Sequence, residues 1–547
     1  MKSWTAILIL AAAQFVMVLD SSVMNVSISQ IVADLDTTIQ GVQLAITAYT
    51  LVMAAFMLTG AKLGDIWGRD RTFAIGLVVY AVGSFTTALS PNLGVLLIGW
   101  SLIEGLGAVM VVPAIAALIA ANYEGRERAL AYGLIGGVAA AAVAVGPIIG
   151  GWVTTNFTWR YVFVGEVVIV AVILLMRNRM KKSPKPENPP RLDYVGAALS
   201  AAGFGLVVLG ILQSSSWGWI QPKGALTIGG TEITPFGFSA VPFLILGGLA
   251  LLWLLNDWIE RRQARGQDVL VDLAMLKIPT LRAGLSSLVG QQLILMGTFF
   301  VLPVYLQVVL GLDAFNTGLK LLPMSVTMFA AALLGPRAAA RRSPRRVAQM
   351  AFVFLAVGAV ILLATIDVTL NSTAFAFGLA VFGIGVGGLA SQLGNVIMSS
   401  VEPRQTNQAG GLQGTAQNLG ASLGTALIGA ILLGAMTSAF VSAIDENPAI
   451  PDDLRVRLTE QATSSGLEVL PVQQVEAYLL EAGLPADQAT AISTDYANSQ
   501  LQGLKVALFA VAVFAVLATW FTRRLPNEST AAAEPDGAAA EPVPVPA

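Results

Sequence analysis

Residues 60–71 read GAKLGDIWGRDR and residues 335–346 read GPRAAARRSPRR, each directly after an apolar run and each rich in Gly and Arg. The two stretches lie about 275 residues apart, and the first and ninth apolar runs begin at about the same interval, near residues 5 and 281. Such a repeat points to a duplicated bundle of six helices, with the seventh and eighth runs inserted between the copies. Parallel-repeat halves of this kind describe a rocking transporter whose binding site lies near the midplane between them.

The composition agrees. Charged residues are 12% of the chain against a soluble norm of about a quarter, apolar residues reach 55%, and mean hydropathy is +0.73. Runs of ~17–25 apolar residues cross a bilayer as helices. Fourteen are expected here, at 5–28, 42–62, 71–89, 93–119, 127–153, 159–176, 194–213, 239–258, 281–310, 316–336, 347–366, 372–399, 406–438 and 503–522. The fold class is therefore an all-α integral membrane protein. Its divisions are an N-terminal bundle at 1–180, a linker with two additional helices at 181–275, a C-terminal bundle at 276–524 and a disordered cytoplasmic tail at 525–547. The first run, preceded by Lys2, is too long for a signal peptide.

An even number of spans puts both termini on one side. If that side is cytoplasmic, the inner ends and loops collect 25 of the 31 Lys and Arg residues, including Arg126, Arg128, the cluster from Arg177 to Arg191, Arg404, Arg523 and Arg524. The positive-inside rule then sets the orientation, with both termini cytoplasmic in a bacterial-type inner membrane. Outer loops such as ADLDTTIQ (33–40) are short, except for residues 440–502, which are rich in Asp, Glu and Gln and include helical pieces such as VQQVEAYLLEAGL. That segment reads as a solvated extracytoplasmic hairpin, with a substrate-capture or partner surface as the alternative.

With no Cys and no His, disulfides, thiolate nucleophiles, imidazole bases and the usual zinc sites are excluded. No GxxxxGK[ST] loop is present, so an ion gradient is the expected energy source. No enzyme activity, cofactor, metal or nucleic-acid partner is expected. The partners are a lipophilic small molecule, protons and membrane lipids, and the chain is taken as a monomer.

Four segments carry chemistry. In KLGDIWGRDR (62–71), Gly64 and Gly68 permit a tight turn, Asp65 can cap or face the positive N-terminus of the next helix, and Arg69 and Arg71 face the cytoplasm. In GLIGGVAAAAVAVGPIIGG (133–151), small residues let helices approach closely and Pro147 removes a main-chain donor. WRYVF (159–163) supplies interfacial aromatics, Trp159 and Tyr161, and an outer-edge cation, Arg160; YLQVVLGLDAFNTGLKLLP (305–323) carries no evident chemistry. The fourth, VLDSSVMNVSI (18–28), places Asp20 inside an apolar span, where an acid costs about 2.5–3.5 kcal/mol and normally faces protein or water.

On these segments the chain resembles the major facilitator superfamily, specifically its fourteen-helix drug:proton antiporters of the EmrB/QacA type, over nearly its full length up to Arg524. The resemblance implies a cytoplasmic gate at Asp65, Gly68, Arg69 and Arg71. The family's leading Gly is Ala61 here, one basic position is Asp70, and the matching Asp of the second half is Ala340. It also implies an antiporter helix with Gly133, Ala142, Gly146, Pro147, Gly150 and Gly151. The opening stretch is similar to the family's first-helix signature at Leu19, Asp20, Ser22, Asn25, Ser27 and Ser29, whose carboxylate is tied to proton-coupled export.

At ~1.5 Å per residue, Asp20 lies about 23 Å from the cytoplasmic end of its helix, and Glu104 about 16 Å from the outer end of the fourth. By the resemblance both helices line the central cavity and bring these acids to one water-filled space. Ser27 shares the face of Asp20, whereas Asn25 points elsewhere. In LIGWSLIEGLG, Ser101 stands where the family has Arg and Glu104 where it has Gln; Glu166 replaces an Asn on a sixth helix that is peripheral in this fold. The expectation is a variant proton site of Asp20, Glu104 and Glu166 without a nearby cation. Substrate contacts are expected from Ser101 and, in the second half, Gln291, Gln292, Gln392 and Asn395, with Met and Phe as adaptable apolar area. The function expected is export of lipophilic cationic drugs by alternating access. Export of a specific metabolite, lipid or siderophore is the first alternative, and a non-transporting membrane sensor the second.

Overall fold

The computed structural model describes residues 4–123, 125–180, 191–222, 226–228, 231–402, 405–465 and 467–527. In lipid every backbone donor and acceptor must be satisfied within the segment, and the apolar runs accordingly fold as helices. The first half contains α1 (Trp4–Val26), α2 (Ile28–Asp34), α3 (Ile39–Trp67), α4 (Arg69–Ala88), α5 (Leu93–Leu96) and α6 (Gly105–Asn122), joined through a π-helical stretch Leu97–Glu104, then α7 (Gly125–Asn156) and α8 (Arg160–Met176). Next come α9 (Tyr194–Trp217), the strands β1 (Leu226–Ile228) and β2 (Thr231–Ile233), and α10 (Ala240–Ala264). The second half contains α11 (Pro279–Val304) with a π-helical end Tyr305–Val309, α12 (Ala314–Arg341), α13 (Pro344–Thr365), α14 (Ser372–Ser399), α15 (Thr406–Glu446), α16 (Asp452–Ser465), α17 (Val472–Glu481) and α18 (Ala486–Ala518).

Among the described residues, twelve helices are long and apolar enough to cross a membrane. The helices α7 and α8, the latter 17 residues long, are not among those twelve but pack within the first bundle, so the fold has twelve to fourteen spans. Helix starts carry caps where the chain leaves the apolar layer. Thr38, Asn92, Asp193, Ser239, Asp313, Ser343 and Asn371 each accept from a backbone N–H of the following turn.

In the first half α1 packs on α7, α3 on α6, and α4 on both α6 and α8; in the second, α11 packs on α15, α12 on α14, and α13 on α14 and α18. The halves meet where α3 lies along α15 and α7 along α12. The α9–α10 pair lies outside this interface and touches both α3 and α15 through Val208, Leu212 and Ala426.

The structure adds several details to these expectations. The two-stranded antiparallel hairpin β1–β2 adds a small non-helical element to an otherwise all-α chain. The first helix does not run on smoothly to residue 28; it breaks at Ser27 and resumes as α2. The segment 440–502 is mostly helical, because α15 continues to Glu446 and α18 begins at Ala486. Residues 525–527 pack on the start of α13, where Arg345 donates its N–H to the Pro526 carbonyl at 3.2 Å. The rest of the expected tail lies outside the described residues.

Candidate functional site

Three helices of the first half converge on a buried cluster of acids. Asp20 comes from the middle of α1, Glu104 from the end of the π-helical stretch before α6, and Glu166 from α8. Each contributes a carboxylate oxygen, and these atoms lie within 4.8 Å of one another. Their relative exposures are 0%, 0% and 1%, so they sit in packed protein and not in the water-filled space expected of Asp20 and Glu104. Glu166 is part of the group even though its helix had been placed at the periphery: α8 packs against α4 and α1, which carries the side chain inward.

Neutral donors surround the cluster. Trp100 Nε1 donates to Asp20 Oδ1 at 2.8 Å. The hydroxyls of Tyr80 and Ser84, one turn apart on α4, donate to Glu166 Oε2 at 3.1 and 3.0 Å. Tyr49 stacks flat on Trp100, with ring centroids 4.7 Å apart and planes at 1°, and its hydroxyl lies beside Asp20. Among the described residues no Lys or Arg pairs with the three acids. Asp20 Oδ2, both oxygens of Glu104 and Glu166 Oε1 make no close hydrogen bond among the described residues.

Close glycine packing holds this arrangement. A Cβ on Gly83 would stand 2.6 Å from both Cα and Cβ of Glu104, and one on Gly107 would stand 2.6 Å from Cα of Tyr80. The absence of side chains at these two positions therefore lets α4 touch the backbone that presents the acid. The π-helical turns, a feature frequent at functional sites, fall on the same segment.

Other expected site residues are distributed differently. Ser101 is buried and donates to the Ala45 carbonyl of α3 at 2.8 Å, which makes it a helix-packing contact. Gln291 donates to the Val386 carbonyl at 3.2 Å, and Gln392 donates to Ser391 Oγ at 3.0 Å. Gln292 is buried with its carbonyl oxygen unpartnered, and Asn395 is exposed on α14. None of these is in the acidic cluster. Asn25 donates to the Ser21 carbonyl within its own helix, while Ser27 pairs with Thr154 of α7 at 2.8 Å and does not join Asp20.

Gly146 and Gly150 lie against Ser22 and Val23 of α1, Gly151 against the Ala314 carbonyl, and Pro147 presents its carbonyl to Gly318 of α12. The helix α7 is thus pressed between α1 of its own half and α12 of the other. Gly133 belongs to the same helix.

In the 62–71 stretch only Gly68, at φ +91°, makes the turn. Gly64 is helical. Asp65 sits in the last turn of α3 between the charges of Lys62 and Arg69, and it does not cap α4, which has no side-chain cap. Asp70 occupies the first turn of α4, a favourable place for a negative charge, and Arg71 is exposed. At the other end, Trp159 is fully buried and not interfacial; its Nε1 donates to Asp34 at 3.0 Å beside the Arg160–Asp34 ion pair at 2.8 Å. Tyr161 is exposed.

One polar contact had no advance signal. Gln307, on the π-helical end of α11, crosses to the first half. Its Nε2 donates to the Val26 carbonyl at 2.8 Å and its Oε1 accepts from the Ser29 N–H at 3.2 Å, bridging the break between α1 and α2. Phe315 N–H to Thr155 Oγ1 at 3.1 Å, Gln43 Nε2 to the Thr425 carbonyl at 2.9 Å and Gln40 Nε2 to the Leu467 carbonyl at 3.2 Å also join the halves.

A family model described as Major Facilitator Superfamily matches residues 10–425. The chain is similar to a probable actinorhodin transporter of Streptomyces coelicolor, with 27% identity over 94% of this chain and 91% of the relative. It is similar also to a tetracenomycin C resistance and export protein of Streptomyces glaucescens, with 26% identity over 100% and 95%. Among solved structures, a bacterial homolog of the human lysosomal transporter Spinster, inward-facing and unoccupied, matches with a TM-score of 0.57 at 14% identity, covering 94% of this chain and 95% of that one. At that identity the likeness is one of fold.

Proposed function

The chain belongs to the major facilitator superfamily, and on that premise we propose that it is a proton-coupled antiporter, not an enzyme, that exports lipophilic cationic drugs by alternating access. It works in the cytoplasmic membrane as a monomer with both termini inside, its two six-helix halves rocking about the α3–α15 and α7–α12 contacts and the α9–α10 pair riding outside. The observation that carries this reading is the set of three buried carboxylates within 4.8 Å with which no cationic side chain pairs among the described residues.

Charged acids in such a place are costly, so the cluster holds protons unless another positive charge is near. The triangle has room for small ions only. The drug therefore sits between the halves, and its charge offsets the one left when a proton departs to the cytoplasm. The outer ends are joined through Gln307, and this arrangement we read as closed toward the outside. After rocking, protons from outside reload the cluster and the drug leaves. Asp65 and its neighbours act at the cytoplasmic end, and Gln291, Gln292, Gln392 and Asn395 act as uncharged second-half contacts for a ligand.

The test is ethidium efflux from proteoliposomes under an imposed pH gradient. D20N combined with E104Q abolishes gradient-driven efflux while leaving a folded, monodisperse protein; unchanged efflux overturns the mechanism. A second reading, export of one specific metabolite by the same machinery, is supported by the names of the two relatives, each tied to a single compound. A resistance panel set against metabolite profiling of a deletion strain separates the two.

A further inference from the structure

We propose that the adjoining ends of α13 and α18 form a binding site for the phosphate of an anionic phospholipid of the inner leaflet. The leaflet rests on the orientation given above; the binding itself does not.

The two repeated stretches differ in charge where they correspond. GAKLGDIWGRDR holds three basic and two acidic residues, whereas GPRAAARRSPRR holds five arginines and no acid, with Ala340 in the place of Asp65 and Arg345 in the place of Asp70. In the first half Asp70 lies in the first turn of α4, where a negative charge meets the positive end of the helix dipole. In the second half Arg345 and Arg346 occupy the first turn of α13, so like charge meets like, an arrangement that an added anion relieves.

Folding brings two more charges to the same place. Beyond α18 the chain turns back on the start of α13: the Arg345 N–H donates to the Pro526 carbonyl at 3.2 Å and the Ser343 hydroxyl donates to Asn527 Oδ1 at 3.1 Å. Arg523 and Arg524 thereby join Arg342, Arg345 and Arg346. Arg345 is half-buried and the other four are exposed. Among the described residues none of the five pairs with an acid, and Arg342 makes its contact with the Met350 sulfur at 3.0 Å. The Arg345 and Arg346 N–H groups at the head of α13 are already taken by Pro526 and Ser343, so the guanidinium groups are what a ligand meets.

The surroundings select the kind of anion. Leu517, Trp520 and Phe521 are exposed at the end of α18, an aromatic and apolar edge of the type found where acyl chains give way to headgroups. Arg523 stacks on Trp520 with its guanidinium carbon 3.6 Å from the ring centroid, which holds that charge at headgroup level. A lipid phosphodiester at this depth meets planar donors suited to bidentate bonds with phosphate oxygens, while its acyl chains lie against the apolar edge. A free phosphate gains nothing from that edge. Basic pockets between spans on the cytoplasmic side suit such headgroups.

The test is lipid binding to purified, delipidated full-length protein in detergent, counted by native mass spectrometry with cardiolipin, phosphatidylglycerol and phosphatidylcholine as probes. Saturable binding of both anionic lipids and none of phosphatidylcholine is expected. At about fivefold per arginine, R345Q/R346Q and R523Q/R524Q each lower the affinity about 25-fold, with an unchanged melting temperature. R261Q/R265Q, which removes as many exposed charges from the end of α10, leaves it unchanged. Equal binding of phosphatidylcholine, an equal loss in R261Q/R265Q, or displacement of the lipid by millimolar inorganic phosphate overturns the inference. So does binding that appears only in a chain ending at Asn527, since it assigns the arginines to the four acids of residues 528–547. N527C, in a chain with no other cysteine, reads the orientation separately. Labelling by an impermeant maleimide only after cells are permeabilised upholds the inner leaflet; labelling of intact cells overturns that placement and leaves the binding result to decide the site.

Discussion

The contact between α4 and the backbone of Glu104 yields a quantitative expectation for G83A. A Cβ at Gly83 would stand 2.6 Å from Cα and Cβ of Glu104, whereas ordinary contact begins near 3.4 Å. The Glu104 backbone N lies closer still, so one side must move by at least about 0.8 Å, and the atoms it meets belong to the root of a helix and not to the end of a flexible side chain. If α4 retreats, Tyr80 and Ser84 go with it, and their 3.1 and 3.0 Å bonds to Glu166 lose their present geometry. If the π-helical stretch retreats instead, Glu104 leaves the cluster. Overpacking of this kind costs about 1–3 kcal/mol. Efflux of ethidium in proteoliposomes should fall about tenfold or more, with a lowered melting temperature in detergent. The control is G165A, next to Glu166 on α8, where a Cβ meets nothing within 4 Å; it should leave both measurements unchanged. If G83A transports and melts like the parent, the claim that this helix contact sets the cluster geometry is wrong.

W100F keeps an aromatic ring but removes the indole N–H that donates to Asp20; efflux should drop severalfold with expression intact, and a full-rate W100F protein would remove Trp100 from the site. Q307A deletes two contacts between the halves, each worth about 0.5–1.5 kcal/mol. Because the chain has no cysteine, S29C can be labelled alone with an impermeant maleimide from outside, and its labelling should accelerate severalfold in the Q307A background; equal rates would mean that Gln307 does not hold the outer side closed.

The helices were legible because a bilayer demands about twenty apolar residues of each span, and the runs meet that demand. What hydropathy reads is the extent of the lipid and not the extent of the helix. That is why α15 and α18 run beyond their expected limits at 438 and 503, into polar sequence that remains helical outside the apolar layer. The hairpin β1–β2 is too short to leave a periodic signal. Asp20 and Glu104 stood out as acids in apolar runs. Glu166 stood out too, but the resemblance puts its helix at the periphery, and it is the bonds from Tyr80 and Ser84 of α4 that show its side chain pointing inward. Trp100, Tyr80 and Ser84 gave no signal beyond their spacing, one helical turn from Glu104 or from each other, since any of them serves equally well as ordinary packing. The π-helical stretch Leu97–Glu104 lies in a run of Leu, Ile, Gly and Trp whose pattern does not distinguish one helical pitch from another.

The absent Arg ties these observations together. Where the resembled family carries a cation, Ser101 spends its hydroxyl on the Ala45 carbonyl and contributes nothing to the acids. The burden passes to neutral donors, which bond Asp20 Oδ1 and Glu166 Oε2. Hydrogen bonds from neutral groups stabilise a carboxylate but add no positive charge, so three acids at less than 5 Å cannot all be ionised together. A fixed Arg would have held the cluster permanently compensated. Without it, each loss of a proton from these residues leaves a buried negative charge, which in the proposed mechanism the cationic drug offsets.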